Sequence, residues 1–238
     1  PFNSQTGPMK GISGDEKYTL LTPAEVKQKI ERIQAFTQRI KAAGVSWAIP
    51  YICNQTMFGD AEKRLGFWDF YDHWEDYREF GLPPKPARDP LQWNQRNSDG
   101  SLHTTYPFEA EYAKPGFRYQ PSPPVPEWNE YLKFCVRMNA RCGYNGIFVD
   151  NCILHSYDRD CEEQFDLYLK NRYGERLRRV FGSDDLAVLN LVDPQQGASS
   201  EGYGKKGLIG SENWTPEKAL LWAETQRFWA AAVAEQIR

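Results

Sequence analysis

One carboxylate in this chain stands where a carboxylate can do chemistry. In the stretch Gly143-Tyr144-Asn145-Gly146-Ile147-Phe148-Val149-Asp150-Asn151, a turn with two glycines feeds a short run of β-branched and aromatic residues that stops at an acid and an amide. Such a run reads as a buried parallel strand, so Asp150 and Asn151 are expected at its C-terminal tip. In parallel α/β folds the loops leaving that edge gather around a shared cleft, and ligands bind there. The plainer alternative is that Asp150 caps the next turn and Asn151 satisfies a loop carbonyl, both common uses of these side chains.

Other polar residues nearby allow a second chemistry. Asp150, His155 and Asp158 have the spacing Asp-x4-His-x2-Asp, which suits a metal-dependent hydrolase or deacetylase, although divalent sites need further positioned ligands. The five cysteines, Cys53, Cys135, Cys142, Cys152 and Cys161, are odd in number and include no close CxxC pair, so they read mainly as buried thiols. Cys152 and Cys161 flank the loop after Asp150 and leave open a bridge or a metal corner, for which no His/Cys quartet is at hand. No cofactor and no resident metal are expected. Asn54-Gln55-Thr56 and Asn213-Trp214-Thr215 are glycosylation sequons.

The elements that must hold Asp150 follow from the flanking sequence. Thr22-Pro23-Ala24-Glu25 supplies an N-cap, a proline at the first helical position and the Glu of a capping box. Val26, Ile30, Ile33, Phe36 and Ile40 then recur at helical spacing, and Gly44 ends the helix. Val45 to Cys53 is predicted to be a strand whose regular pairing stops at Pro50, which lacks an N–H. Tyr51 and Asn54 then fall on the same rim as Asp150. Pro126 opens a helix through Met138, closed by Gly143, so that strand, insertion, helix and anchor strand form one parallel βαβ crossover. A further helix starts at Asp160-Cys161-Glu162-Glu163, and a last one at Thr215-Pro216-Glu217. The apolar face of that last helix is unbroken at the final residue, which leads to the expectation of more chain downstream.

Two stretches are too long for simple loops, at about 54–125 and 183–214. The first packs aromatics against acids, as in Phe67-Trp68-Asp69-Phe70-Tyr71-Asp72-His73-Trp74 and Asp89-Pro90-Leu91-Gln92-Trp93-Asn94. Most of these aromatics are expected to form a satellite core under the loop, with Trp68 and Trp93 as the exposed exceptions. His73 reads as a hydrogen-bonded structural residue. Within the second stretch, Leu186 to Val192 is predicted to form a short strand.

Composition narrows the partners. Aromatics make up 14% of the 238 residues, more than a core usually requires, and suit stacking on sugars or bases. The net charge of −3 and the lack of a concentrated Lys/Arg run argue against nucleic acid. No apolar run approaches the roughly 20 residues that cross a bilayer. The chain opens at Pro1 without an initiator Met, which reads as processing, trimming or a start at an interior point and leaves room for a lost upstream targeting segment; location is undetermined, with secreted or periplasmic slightly favoured. Oligomeric state is not legible.

The Gly-Tyr-Asn-Gly-Ile-Phe-Val-Asp-Asn strand, with Cys161-Glu162-Glu163-Gln164-Phe165 through Tyr168-Leu169 and Tyr173-Gly174 after it, resembles the TIM-barrel glycoside hydrolases. That likeness is close over residues 143–174 and loose elsewhere. It implies an α/β chain with a (β/α)8 TIM-barrel-like fold. Because only two strand-plus-helix units are evident where a full barrel has eight, the expectation is a single partial barrel domain over 1–238. Similarity to α-galactosidase-like and α-amylase-like barrels implies that Asp150 is the nucleophile of a retaining mechanism on a carbohydrate substrate. A retaining enzyme needs a second carboxyl about 5–5.5 Å away to protonate the leaving oxygen. Glu212, in a loop just before a helix, is the first candidate, and Asp60 the next. Asn54 and Asn151 would bind sugar hydroxyls, Trp47, Trp68 or Trp93 would form the stacking wall, and Tyr51, Asp60 and His155 would complete the substrate-binding set. The competing reading is a degenerate barrel that binds carbohydrate without a working acid pair.

Overall fold

The helix signals at Thr22 materialise as written. In a computed structural model that describes residues 2–3, 7–10, 19–103, 117–152, 154–193 and 214–238, helix α1 runs Pro23–Ala42. Thr22 accepts the Glu25 amide while Glu25 reaches back to the Thr22 amide, so two otherwise unpaired N–H groups are satisfied. Its apolar stripe is only partly covered, with Val26 buried and Phe36 exposed.

Strand β1 (Tyr51–Cys53) pairs in parallel with β5 (Phe148–Asp150), in the register Tyr51 to Phe148, Ile52 to Val149 and Cys53 to Asp150. Helix α3 (Pro126–Arg141) enters β5 through a Gly143 turn. Pro50 begins the pairing and does not end it. Its missing N–H is harmless at the first position of a strand, and its carbonyl accepts the Phe148 amide at 2.9 Å. Before Pro50, residues 45–49 form no strand; there Asn145 substitutes for ladder bonds, accepting from the Ala48 amide and donating to the Ser46 carbonyl.

The insertion after β1 builds its own three-stranded antiparallel sheet, β3-β2-β4, from β2 (Met57–Asp60), β3 (Leu65–Gly66) and β4 (Phe117–Tyr119). Helix α2 (Phe67–Asp72) and two 3-10 turns follow β3. Their aromatics are no satellite. Phe67, Phe70, Trp74 and Tyr77 pack edge-to-face or tilted against one another and against Trp128 and Tyr131 of α3, forming the principal core of this part of the molecule.

The partial (β/α)8 barrel expected from the sequence is not what forms. Among the described residues the sheets hold two parallel and three antiparallel strands, and no barrel closes. Closing a barrel requires strands paired on both edges and buried on both faces. Among the described residues neither β1 nor β5 has a second neighbour, and Tyr51 and Phe148 are half or more exposed. The predicted strand at Leu186 to Val192 is likewise absent; Leu186–Val188 forms a 3-10 turn.

The chain divides into two compact units, Pro1–Gln95 with Leu102–Ile153, and Arg96–Ser101 with Leu154–Arg238. In the second, α4 (Arg159–Tyr173), α5 (Leu177–Phe181) and α6 (Pro216–Ile237) enclose Phe165, Leu169, Phe181, Phe228 and Trp229. No described helix is long and apolar enough to cross a membrane.

Gly143 carries a strict steric demand. Its φ is +89°, and a Cβ there would lie 2.6 Å from Thr37 Oγ1. That hydroxyl is itself buried and donates to the Cys142 carbonyl at 2.7 Å, tying α1 to the end of α3. Gly143→Ala is therefore expected to cost about 2 kcal/mol in chemical denaturation, through backbone strain and loss of this bond; a cost below about 0.5 kcal/mol would refute the steric account.

Candidate functional site

Asp150 ends β5 with its side chain exposed to solvent. The Tyr51 hydroxyl donates to Oδ2 at 2.5 Å, and the Asn151 amide donates to Oδ1 at 2.7 Å. Each carboxylate oxygen thus holds one fixed bond and keeps lone-pair capacity for another partner. The Tyr51 bond, then the Asn151 amide, and then the positive charge of Arg118 hold the acid below the usual carboxylate range. Asp150 is accordingly an anion at neutral pH, which suits a nucleophile and not a proton donor.

Sheet geometry explains how these groups meet. Side chains two residues apart on a strand share a face, so Tyr51 and Cys53 of β1 line up with Phe148 and Asp150 of β5. The Tyr51 and Phe148 rings stack, with centroids 5.7 Å apart and planes 26° apart. Behind them Cys53 is buried; it contacts the Tyr51 hydroxyl at 3.4 Å and accepts from Asn151 Nδ2 and from Arg118 Nη2, the latter at 3.9 Å. Arg118 is anchored from β4 on Thr56 Oγ1 at 2.9 Å. Asn151 adopts φ +57°, a left-handed conformation that asparagine tolerates better than most side chains. That turn directs its amide at Asp150.

The sequence-predicted residues divide sharply. Asp150, Tyr51 and Asn151 come together, and Trp47 is 66% exposed on the segment leading into β1. Trp68 and Trp93, expected as an exposed wall, are fully buried: their indole N–H groups donate to the Asp89 carboxylate and the Arg88 carbonyl. Asn54 is buried, its amide continuing the ladder to the Asp150 carbonyl and its carbonyl accepting from Trp128. Asp60 is buried beneath the turn after β2, where it accepts from the Lys63 amide at 3.0 Å and pairs with the Lys63 ammonium. His155 belongs to the second unit and packs on Trp229. Glu212 lies outside the described residues.

The Asp-x4-His-x2-Asp pattern has a local explanation. Asp158 caps α4, accepting from the Cys161 amide and from the Ser156 hydroxyl. Among the described residues no three His, Cys, Asp or Glu side chains are placed to hold a metal. All five cysteines are free thiols. His73 is held by the Asp69 carbonyl and carboxylate, first of which raises its pKa, in the structural role expected of it. A cavity of about 590 Å³ in the second unit is bordered by Tyr157, Glu162 and Leu189, and among the described residues none of the predicted site residues lines it.

Three participants escaped the sequence reading. Phe148 was findable, since it stands two residues before Asp150 and must share its face. Cys53 was findable in the same way from Tyr51. Arg118 carried no local signal, because only the antiparallel pairing of β2 with β4 brings it near.

No protein-family model matches the chain, and no curated protein and no solved structure matches it either.

Proposed function

We propose that the chain is a glycoside hydrolase acting on an oligo- or polysaccharide, with Asp150 as the nucleophile. The observation that carries this reading is an exposed carboxylate, kept anionic and oriented by Tyr51 and Asn151, at the end of a strand pair that presents the stacked rings of Tyr51 and Phe148, with Trp47 exposed on the segment leading into it. Aromatic side chains of that kind stack on the apolar faces of sugar rings. In the reaction an Asp150 oxygen attacks the anomeric carbon as the glycosidic C–O bond breaks. A second carboxylic acid gives its proton to the leaving oxygen, and water then cleaves the glycosyl ester, returning the proton and freeing Asp150. Glu212 is the candidate for that acid on its sequence setting.

A specific observation favours a second reading, a carbohydrate-binding surface without turnover. The groups that act on Asp150 among the described residues are Tyr51, Asn151 and Arg118, with no carboxylate among them. Incubation with a panel of 2-deoxy-2-fluoroglycosyl fluorides, read by intact-protein mass and peptide mapping, separates the two. The hydrolase gains one glycosyl unit on the peptide that contains Asp150. Sugar binding with no label and no hydrolysis establishes the second reading, and a label on another carboxylate removes Asp150 from the nucleophile role.

A further inference from the structure

We infer that Tyr51 is the positioning residue for Asp150, the last link in a chain of hydrogen-bond donors that all end on that carboxylate. The inference deepens the hydrolase reading and, for its role in turnover, rests on it.

The direction of the chain follows from counting protons. A tyrosine hydroxyl has one hydrogen, and at 2.5 Å from Asp150 Oδ2 that hydrogen is committed to the carboxylate. Toward Cys53, 3.4 Å away, the same oxygen can then only accept, so the thiol is the donor. The Cys53 sulfur in turn receives Asn151 Nδ2 and Arg118 Nη2. Two donors therefore feed a thiol, the thiol feeds a phenol, and the phenol feeds Asp150. Each bond in such a series polarises the next, and the series ends on the carboxylate.

The phenol is also held in place. Its ring is stacked on Phe148, its cross-strand partner. The hydroxyl reaches the diagonal neighbour Asp150, a distance that aromatic side chains span across paired strands. With Oδ2 bound to Tyr51 and Oδ1 bound to the Asn151 amide, the carboxyl plane cannot turn without breaking one of them. The remaining titratable neighbour among the described residues is Cys152, whose thiol is pushed up by burial, then by the charge on Asp150 and by Cys53. It stays neutral and adds no competing charge, while Arg118 supplies a positive charge. Tyr51 is raised in the same sense by its bonds to Asp150 and Cys53, and remains a donor throughout the working pH range.

This arrangement assigns Tyr51 a task beyond lining a sugar-binding face. Its bond is strongest when Asp150 is charged, before attack and again as the glycosyl ester breaks, and weakest while the ester exists. Loss of the hydroxyl should therefore slow ester breakdown and free the carboxyl to rotate.

The test uses the full chain and begins without substrate. Carbon-13 NMR titration of the Asp150 carboxyl in Tyr51→Phe is expected to show its midpoint displaced upward by about one pH unit. Cys53→Ala should displace it in the same direction by less, and Cys53→Ser, which keeps a donor, should restore it. An unchanged midpoint in Tyr51→Phe overturns the inference whether or not the chain proves to be a hydrolase. Should Tyr51→Phe fail to fold by circular dichroism, the Cys53 pair decides: equal midpoints in Cys53→Ala and the wild type overturn it. On a hydrolysed aryl glycoside, the acid limb of kcat/KM in Tyr51→Phe should move with the NMR midpoint and kcat should fall about tenfold, the loss expected for one hydrogen bond to a charged group. Full wild-type activity in Asp150→Ala would remove Asp150 from the nucleophile role alone and leave the NMR result standing.

Discussion

Asp150→Asn is expected to lower kcat on an aryl glycoside by about 10⁴-fold, the size of loss seen when one member of a catalytic unit is removed, while leaving the unfolding midpoint within a degree or so of the wild type. The two halves of that expectation come from the same geometry. The side chain is exposed, and its two partners, the Tyr51 hydroxyl and the Asn151 amide, can rebind to water or to the remaining amide oxygen, so the fold loses little. Chemistry loses nearly everything, because an amide nitrogen cannot form the glycosyl ester. Asp150→Ala adds a sharper readout. The space vacated by the carboxyl admits a small anion, and azide should restore turnover by attacking the anomeric carbon itself, giving a glycosyl azide of inverted configuration. A loss of less than tenfold in either variant, with the fold intact by circular dichroism, would place the chemistry at another residue.

The parts of this molecule that were legible in the sequence are those decided within a turn or two of chain. The Thr22 to Glu25 capping box, the proline openings at Pro23, Pro126 and Pro216, and the short strand ending in Asp150 all depend on near neighbours, and each forms where its residues indicate. Barrel closure does not depend on neighbours. It requires six further strands to find the edges of β1 and β5, and nothing within 143–174 can report whether they exist. Trp68 and Trp93 failed for a related reason. An indole beside aspartates reads as surface-seeking, but Asp89 accepts the Trp68 N–H and also pairs with Arg64, so acid, base and indole are satisfied together next to the core. Polar neighbours marked a satisfied N–H group and not exposure. At Pro50 the expectation concerned the missing donor, while the ladder used the carbonyl. The carboxylate of the candidate site was legible because it terminates a strand; its donors from β1 required the register, and Arg118 required a sheet that the sequence did not announce.

Glu224→Gln is expected to destabilise the second unit by about 3 kcal/mol at neutral pH, the lower end of the range for removing one partner from a buried charged cluster. The Glu224 side chain, on α6, has no solvent exposure. It accepts from the Tyr168 hydroxyl at 2.6 Å and the Tyr173 hydroxyl at 2.9 Å, and pairs with Arg172 at 3.0 Å and with Arg227. Three of those donors stand on α4 and the fourth one turn along α6, so the carboxylate is the polar joint between the two helices. Burial alone would push its pKa up; the two tyrosines and two arginines outweigh it and hold the acid below its ordinary 4.5. The low end of the range applies because both guanidinium groups are about half exposed and can return to water. The tyrosine hydroxyls are less free, and a glutamine offers them one acceptor oxygen where the carboxylate offered two. The sign of the pH dependence follows from the depressed value. Stability from Glu224 is complete above about pH 4.5 and disappears as the pH falls through the folded-state pKa. Denaturant unfolding at several pH values should therefore show wild type and Glu224→Gln about 3 kcal/mol apart at pH 7 and converging as the solution is made acidic. Curves that stay parallel from pH 7 to pH 3 would mean that the lost stability came from packing, and that the charge on Glu224 contributes none of it.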